Sequence, residues 1–239
     1  MKHIESTKPD DVAFDLGAVC SAIEWENPRR ANRQARTILA RLALNRELLS
    51  DKVIKIESNP VRLARSETHP LLHRLSLYED PERGCQLRLH IFSGRDRDLV
   101  PHDHKYPFSV FVLAGGYLHV WNRRTGSAQS GEFTSADIAP GIVSVERPGS
   151  CYSFQNSLVH QTIVLPGTVS LFLRGPKRQA RWHAAGDMLH LLNGYEAPSS
   201  GKAHHKGARP ISKDALHEIR HDLARRGIII DRKASHAIA

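Results

Sequence analysis

The sequence predicts a mainly β chain: an antiparallel sandwich or barrel, with a helical segment before it and a helical tail after it. Three observations predict this. Turn-forming pairs punctuate the middle of the chain at short intervals: Asp80-Pro81, Gly115-Gly116, Thr125-Gly126, Pro148-Gly149 and Pro166-Gly167. The runs between them are short, apolar and β-branched, and in one of them Gln86, Arg88 and His90 alternate with Leu87, Leu89 and Ile91 at the period of a strand. The character changes near Leu71 and weakens again after Pro176, so the strands form one block.

The first third reads as helix. Asn27-Pro28 marks a boundary, because the residue before a proline is pushed out of the helical region. From Arg29 to Val53 there is neither Pro nor Gly, and Ile38, Leu39, Leu42, Leu44, Leu48 and Leu49 recur at helical spacing, which predicts one amphipathic helix lying on a core. The predicted strands are Leu71–Tyr78, Gln86–Ser93, Ser109–Trp121, Gly141–Glu146 and Thr168–Arg174. Trp182–Leu192 suits a last strand or a helix, and 197–207 has the composition of a linker. Ser212 is placed to cap a final helix ending at Gly227, with Asp214 in its first turn and an apolar stripe of Leu216, Ile219 and Leu223. The expected organisation is a helical segment over 1–60, a barrel over 61–195, and a linker with a basic helix over 196–239.

Composition narrows the classes. An apolar fraction of 40% and a charged fraction of 25% are those of a globular chain, not of a collagen, a coiled coil or a disordered one. No stretch approaches the ~20 apolar residues of a membrane span, and the N-terminus lacks the apolar core of a secretory signal. Cys20, Cys85 and Cys151 are odd in number and widely spaced, a poor disulfide framework, so a reducing, cytoplasmic setting is expected. The net charge is +9, and more than half of it comes from 201–239. That tail reads as a solvated basic segment. No basic-aromatic stripe offers stacking for single strands, so nucleic acid is not the expected partner. Pairing into a homodimer stays open.

Fifteen histidines are many for 239 residues. His204-His205 falls in the linker, and His217 and His221, four apart on the final helix, lack the pattern of a helical zinc site. The informative pair is His102 and His104. Residues two apart on a strand project to one face, which suits two imidazoles on one cation. Asp103 points away by the same alternation. A third ligand is wanted from a distant strand, and His160, just ahead of the Pro166-Gly167 turn and the Val169–Arg174 run, is the candidate.

The stretch from Gly94 to Gly115 resembles the first motif of the cupin superfamily: a glycine, a short gap, HxH, a gap, and a glycine ending the strand pair. The segment around His160 resembles the second motif. Where the common cupin motif carries a glutamate, this chain has Phe108 and Ser109. The remaining three-histidine set is similar to the thiol dioxygenase branch, of which cysteine dioxygenase is the familiar member. The resemblance runs from about Tyr78 to Arg174, under half of the chain. It implies a cupin-type jelly-roll barrel with Fe(II) on His102, His104 and His160, although other divalent metals suit such ligands. There are departures. Ser109 replaces the cysteine of a Cys–Tyr crosslink, Phe172 and Arg174 replace a His and a Tyr, and Asp80 stands near Tyr78 where a substrate arginine is expected. The cysteine-specific pocket is therefore not implied.

A carboxylate-free site keeps the full +2 charge of the ion, which favours small anionic substrates such as a thiol, an amino acid or a keto or enol acid, reacting with O2. Arg174 is the expected substrate clamp, with Tyr106 and Ser109 as further catalytic candidates. The rival readings are a 2-oxoglutarate-dependent hydroxylase with Arg174 or Arg88 on the distal carboxylate, a metal- or ligand-binding cupin without turnover, and a nucleic-acid-associated protein acting through its basic tail.

Overall fold

A computed structural model describes residues 14–69, 72–93, 96–126, 130–191 and 208–230. Leu71, Gly94, the 197–207 linker and His204-His205 lie outside the described residues.

Asparagine and proline start the helices. Pro28 occupies the first turn of α2 (Pro28–Leu44), and the Asn27 side chain accepts from the Arg30 amide at 3.2 Å. The same device opens α4 (Pro60–Arg65), with Asn59 accepting from Arg62. A short α1 (Leu16–Ser21) precedes them. The single helix expected over Arg29–Val53 is two helices. Asn45 leaves the helical conformation and its side chain caps α3 (Arg46–Ile54) by accepting from the Leu48 amide at 2.9 Å. Leu44 consequently ends α2 on the surface, 84% exposed. An asparagine that can bond the backbone ahead of it competes with helix continuation.

Eleven strands are described. β1 (Glu67–Thr68), β2 (Leu72–Asp80), β3 (Cys85–Phe92), β5 (Phe108–Ala114), β8 (Cys151–Phe154), β10 (Val169–Arg174) and β11 (Arg209–Pro210) build one sheet, in the order β11-β1-β2-β3-β10-β5-β8. A second sheet holds β4 (Asp96–His102), β9 (Val159–Val164), β6 (Tyr117–Arg124) and β7 (Ile138–Glu146), in the order β4-β9-β6-β7. All pairings are antiparallel. The expected strand Ser109–Trp121 is thus β5 and β6, in different sheets. Gly115 makes the corner at φ +68°, and a side chain there would stand 2.6 Å from the Thr168 Cα, so both the turn and the close approach require glycine. Expected turns and strands elsewhere coincide to within a few residues. β4, β8 and β9 were not expected, and Gly186–Leu191 is a 3₁₀ turn.

One face of the large sheet carries the helices. Leu75, Leu87, Leu89, Leu171 and Leu173 pack into a single cluster with Ile38, Leu39 and Leu42 of α2, Leu49 and Val53 of α3, and Leu216, Ile219 and Leu223 of α5 (Lys213–Arg225). Ser212 caps α5 through the Ala215 amide, and Gly227 ends it with φ +70°. α5 is further tied by Arg220 to Glu57 at 3.0 Å and by Arg226 to the Gly167 carbonyl. The other face of the large sheet looks across at the four-stranded sheet, and the site lies between them. No described helix is long and apolar enough to cross a membrane.

Leu171 is fully buried beneath the helices, whereas Val143 on β7 is 65% exposed. Leu171→Ala should lower the unfolding free energy by roughly 2–5 kcal/mol, and Val143→Ala should stay within about 0.5 kcal/mol. Paired denaturant titrations of the two variants check this, and equal losses would contradict the layering.

Candidate metal centre

β4 ends on His102, which pairs in register with His160 of β9. His104 follows two residues later, outside the strand. Ring nitrogens of His102, His104 and His160 all lie within 4.8 Å of one another. Their ring centroids are 4.6–5.0 Å apart, and the Nε2 atoms of His104 and His160 face each other at 2.7 Å. His102 Nδ1 donates to the Val100 carbonyl at 3.0 Å, which leaves Nε2 as the ring atom on the cluster side. His160 Nδ1 contacts the Thr162 hydroxyl at 3.0 Å, leaving its Nε2 turned to the other rings. Two of the three rings are thus held from behind, which orients them toward the common point.

Asp103 holds the loop that carries the pair. It is wholly buried and faces away from the cluster. Its carboxylate accepts from Arg124 of β6 at 2.8 Å, from Gln179 at 2.9 Å and from the His183 amide at 2.7 Å. The His104 amide donates to the Asn156 carbonyl at 3.0 Å. The expectation that Asp103 turns away from the histidine face agrees with this placement.

The three imidazoles open into a cavity of about 230 Å³ lined mostly by aromatic and aliphatic groups, among them Phe92, Phe108, Phe154, Phe172 and Val110. Phe108 packs against the cluster, with its ring centroid 4.7 Å from that of His104. Among the described residues the cluster contains no carboxylate. Burial, then the neighbouring His102, His104 and His119, hold the His160 pKa well below the ordinary imidazole value. Three converging imidazoles, each offering one ring nitrogen to a common point, suit a divalent cation.

The other predicted residues are not in the cavity. Ser109 lies on the outer face of β5. Its hydroxyl contacts Ser153 Oγ at 2.6 Å, and Ser153 in turn donates to Asn32 on α2. Strand alternation explains this: Phe108 and Val110 face inward, so Ser109 faces the helices. Arg174 shares the inward face with Phe172, and Leu171 and Leu173 face the helices, as the alternation predicts. Yet Phe172, stacked between His90 and Phe108 at 4.6 and 4.9 Å, separates Arg174 from the imidazoles. Tyr106 lies under the Arg174 guanidinium, 4.0 Å from its Cζ, and does not line the cavity.

Two lining histidines carry more weight than the sequence gave them. His90 stacks on Phe172, and the Gln86–Arg88–His90 alternation already put it on a polar face of its strand. His119 of β6 is buried, its Nδ1 has no hydrogen-bond partner, and its ring centroid is 5.4 Å from that of His160. Burial, and secondarily His102, lower its pKa to about 4.

No known family profile and no curated protein matches the chain. Solved structures do. KdgF from Halomonas sp. is similar over 47% of this chain and 84% of its own, at 16% identity and a TM-score of 0.34. An RmlC-like cupin from Shewanella frigidimarina is similar over 45% and 78%, at 15% identity and 0.33. Hydroxypropylphosphonic acid epoxidase from S. wedmorenis is similar over 44% and 51%, at 13% identity and 0.31. The chain itself is a mainly antiparallel two-sheet fold with helices on one face. These likenesses span about half of it. Helices α1–α3 and α5 pack on the outer face of the large sheet.

Asp103→Ala leaves Arg124, itself only 6% exposed, as an uncompensated buried charge. It should cost roughly 3–5 kcal/mol, against less than about 1 kcal/mol for removing the exposed Glu24–Arg30 pair. Thermal unfolding of metal-free Asp103→Ala and Glu24→Ala checks the contrast.

His119 gives a pH signature. Its folded pKa is depressed, so the unfolded chain binds the proton first, and stability is present above about 6.5 and lost as pH falls toward about 4. The difference corresponds to about 3 kcal/mol for a shift of this size. Metal-free His119→Phe should lose less stability across that window than the parent; an unchanged slope would contradict the assignment.

Proposed function

We propose that this chain is a cupin and a non-haem Fe(II)-dependent oxygenase, a dioxygenase in class, acting with O2 on a small anionic substrate. The observation that carries this reading is a carboxylate-free cluster of three imidazoles opening into an apolar cavity. His102, His104 and His160 would hold the ion through their ring nitrogens. An iron(II) ion bound there supplies redox access to dioxygen. Three neutral ligands leave the ion's charge uncompensated, which attracts a thiolate, carboxylate or enolate. In a dioxygenase both oxygen atoms enter the product and the substrate supplies the electrons, so no external reductant is required.

The chain's own residues account for the remaining conditions. Val100 and Thr162 orient two of the rings. Phe108, Phe154, Phe172 and Val110 give the cavity apolar walls, which strengthen a charge interaction at its imidazole end. His119 presents a ring nitrogen without a partner to the same space, where a polar group of the substrate would satisfy it.

The test is O2 uptake by anaerobically iron-loaded protein, with thiols, amino acids and keto acids supplied in turn. The reading expects uptake that needs both iron and one of these compounds, and a loss of at least 100-fold in His160→Gln. Uptake that appears only with added 2-oxoglutarate would replace the dioxygenase reading by a hydroxylase. No uptake with any compound by protein holding its iron would overturn the oxygenase reading.

A further inference from the structure

Beyond the aromatic layer of His90, Phe172 and Phe108, the inner face of the large sheet turns polar. Arg174 follows Phe172 by two residues on β10, and Arg88 precedes His90 by two on β3, so each shares a face with a cavity-lining ring. Arg74 of β2 stands opposite His90. Three guanidinium groups therefore gather at this end of the barrel.

They meet two carboxylates. Glu67 takes Nη1 of both Arg74 and Arg88, each at a long 3.4 Å. Glu79 is already engaged by the Ser76 hydroxyl at 2.9 Å and by the Gln86 amide. Arg174 has no acidic partner among the described residues; its guanidinium rests on the Tyr106 ring. Most telling, the Nε–H groups of Arg88 and Arg174 are both buried and both lack an acceptor. A buried donor that gives up water and gains no partner is rare in a folded protein, and here two belong to neighbouring cations. Burial, together with the Arg174 and Arg74 charges, weakens the hold of Arg88 on its proton, against the pull of Glu67 and Glu79. An oxyanion between the two guanidinium groups would accept both orphaned donors and relieve their repulsion. The Arg74 and Arg88 side chains remain 20% and 14% exposed, so solvent reaches this end of the barrel.

We propose that Arg174 and Arg88 form a second ligand site, separate from the imidazole cavity, which binds a small oxyanion: a carboxylate or a phosphate group. The site is defined by the guanidinium pair and the Tyr106 platform, and it does not require a metal ion on the histidines.

Calorimetric titration of the metal-free, full-length protein with inorganic phosphate and, separately, with acetate tests the proposal, at fixed ionic strength and with chloride as the comparison ion. Saturable binding of one phosphate or one acetate per chain, weakened at least tenfold in Arg174→Gln and in Arg88→Gln and unchanged in His102→Ala, is the expected result. Preference for phosphate or for acetate names the source of the oxyanion. Because Arg88→Gln could fail to fold, thermal unfolding supplies a second readout: the anion should raise the midpoint of the parent and leave that of Arg174→Gln where it is. Absence of saturable binding by both anions, or equal binding in Arg174→Gln, would overturn the proposal. Loss of binding in His102→Ala with Arg174→Gln unaffected would place the anion at the imidazoles and overturn it as well. Neither result bears on iron binding, which is measured separately.

Discussion

The pairing of His102 with His160 across β4 and β9 is the contact on which the site depends. It sets two imidazoles side by side from segments far apart in sequence, and the loop after β4 swings the third, His104, against them. That loop is not held by strand hydrogen bonds. It is held by Asp103, a buried carboxylate that ties it to Arg124 on β6 and to the 179–183 segment. A buried charge of this kind is expensive to desolvate and gains little net stability. What it contributes is position: both neighbours of Asp103 in the chain are fixed by fixing Asp103.

Around this anchor the barrel separates two kinds of chemistry by strand alternation. The residues that face the imidazoles are mostly aromatic or aliphatic, and burial holds the His160 pKa well below the ordinary imidazole value. Two residues further along the same strands, the inward positions become arginines. The aromatic stack of His90, Phe172, Phe108 and Phe154 stands between them. Without that layer the cations of Arg88 and Arg174 would act directly on the histidines, and a divalent cation would be disfavoured there.

Part of this was legible in the sequence, and the reasons differ by element. Turn residues placed most strand ends because Gly and Pro act locally, and capping residues placed α2 and α5 for the same reason. HxH spacing located the histidine pair. By contrast, β4 reads as a charged, proline-containing loop, and it is a strand only because β9 pairs with it. β8 is four residues long and carries no periodicity. Ser109 shows the limit most clearly. In Phe108–Ala114 both faces are buried, so hydrophobicity does not say which face is inward, and the register with β10 decides it. Arg174 was placed on the correct face by alternation, but the intervening ring of Phe172 is a matter of packing that alternation does not encode. The break at Asn45 was hidden because asparagine is tolerated within helices, and only its cap bond to Leu48 reveals it.

The central claim is that three imidazoles form one cation site. Anaerobic titration of Fe(II) into the metal-free protein, read by calorimetry in the parent and in His102→Ala, His104→Ala and His160→Ala, tests it most directly. One equivalent bound by the parent, with affinity reduced at least 100-fold in each variant while the fold is retained, is the predicted result. Iron binding that survives the loss of His160, or a folded parent that binds none, would contradict it.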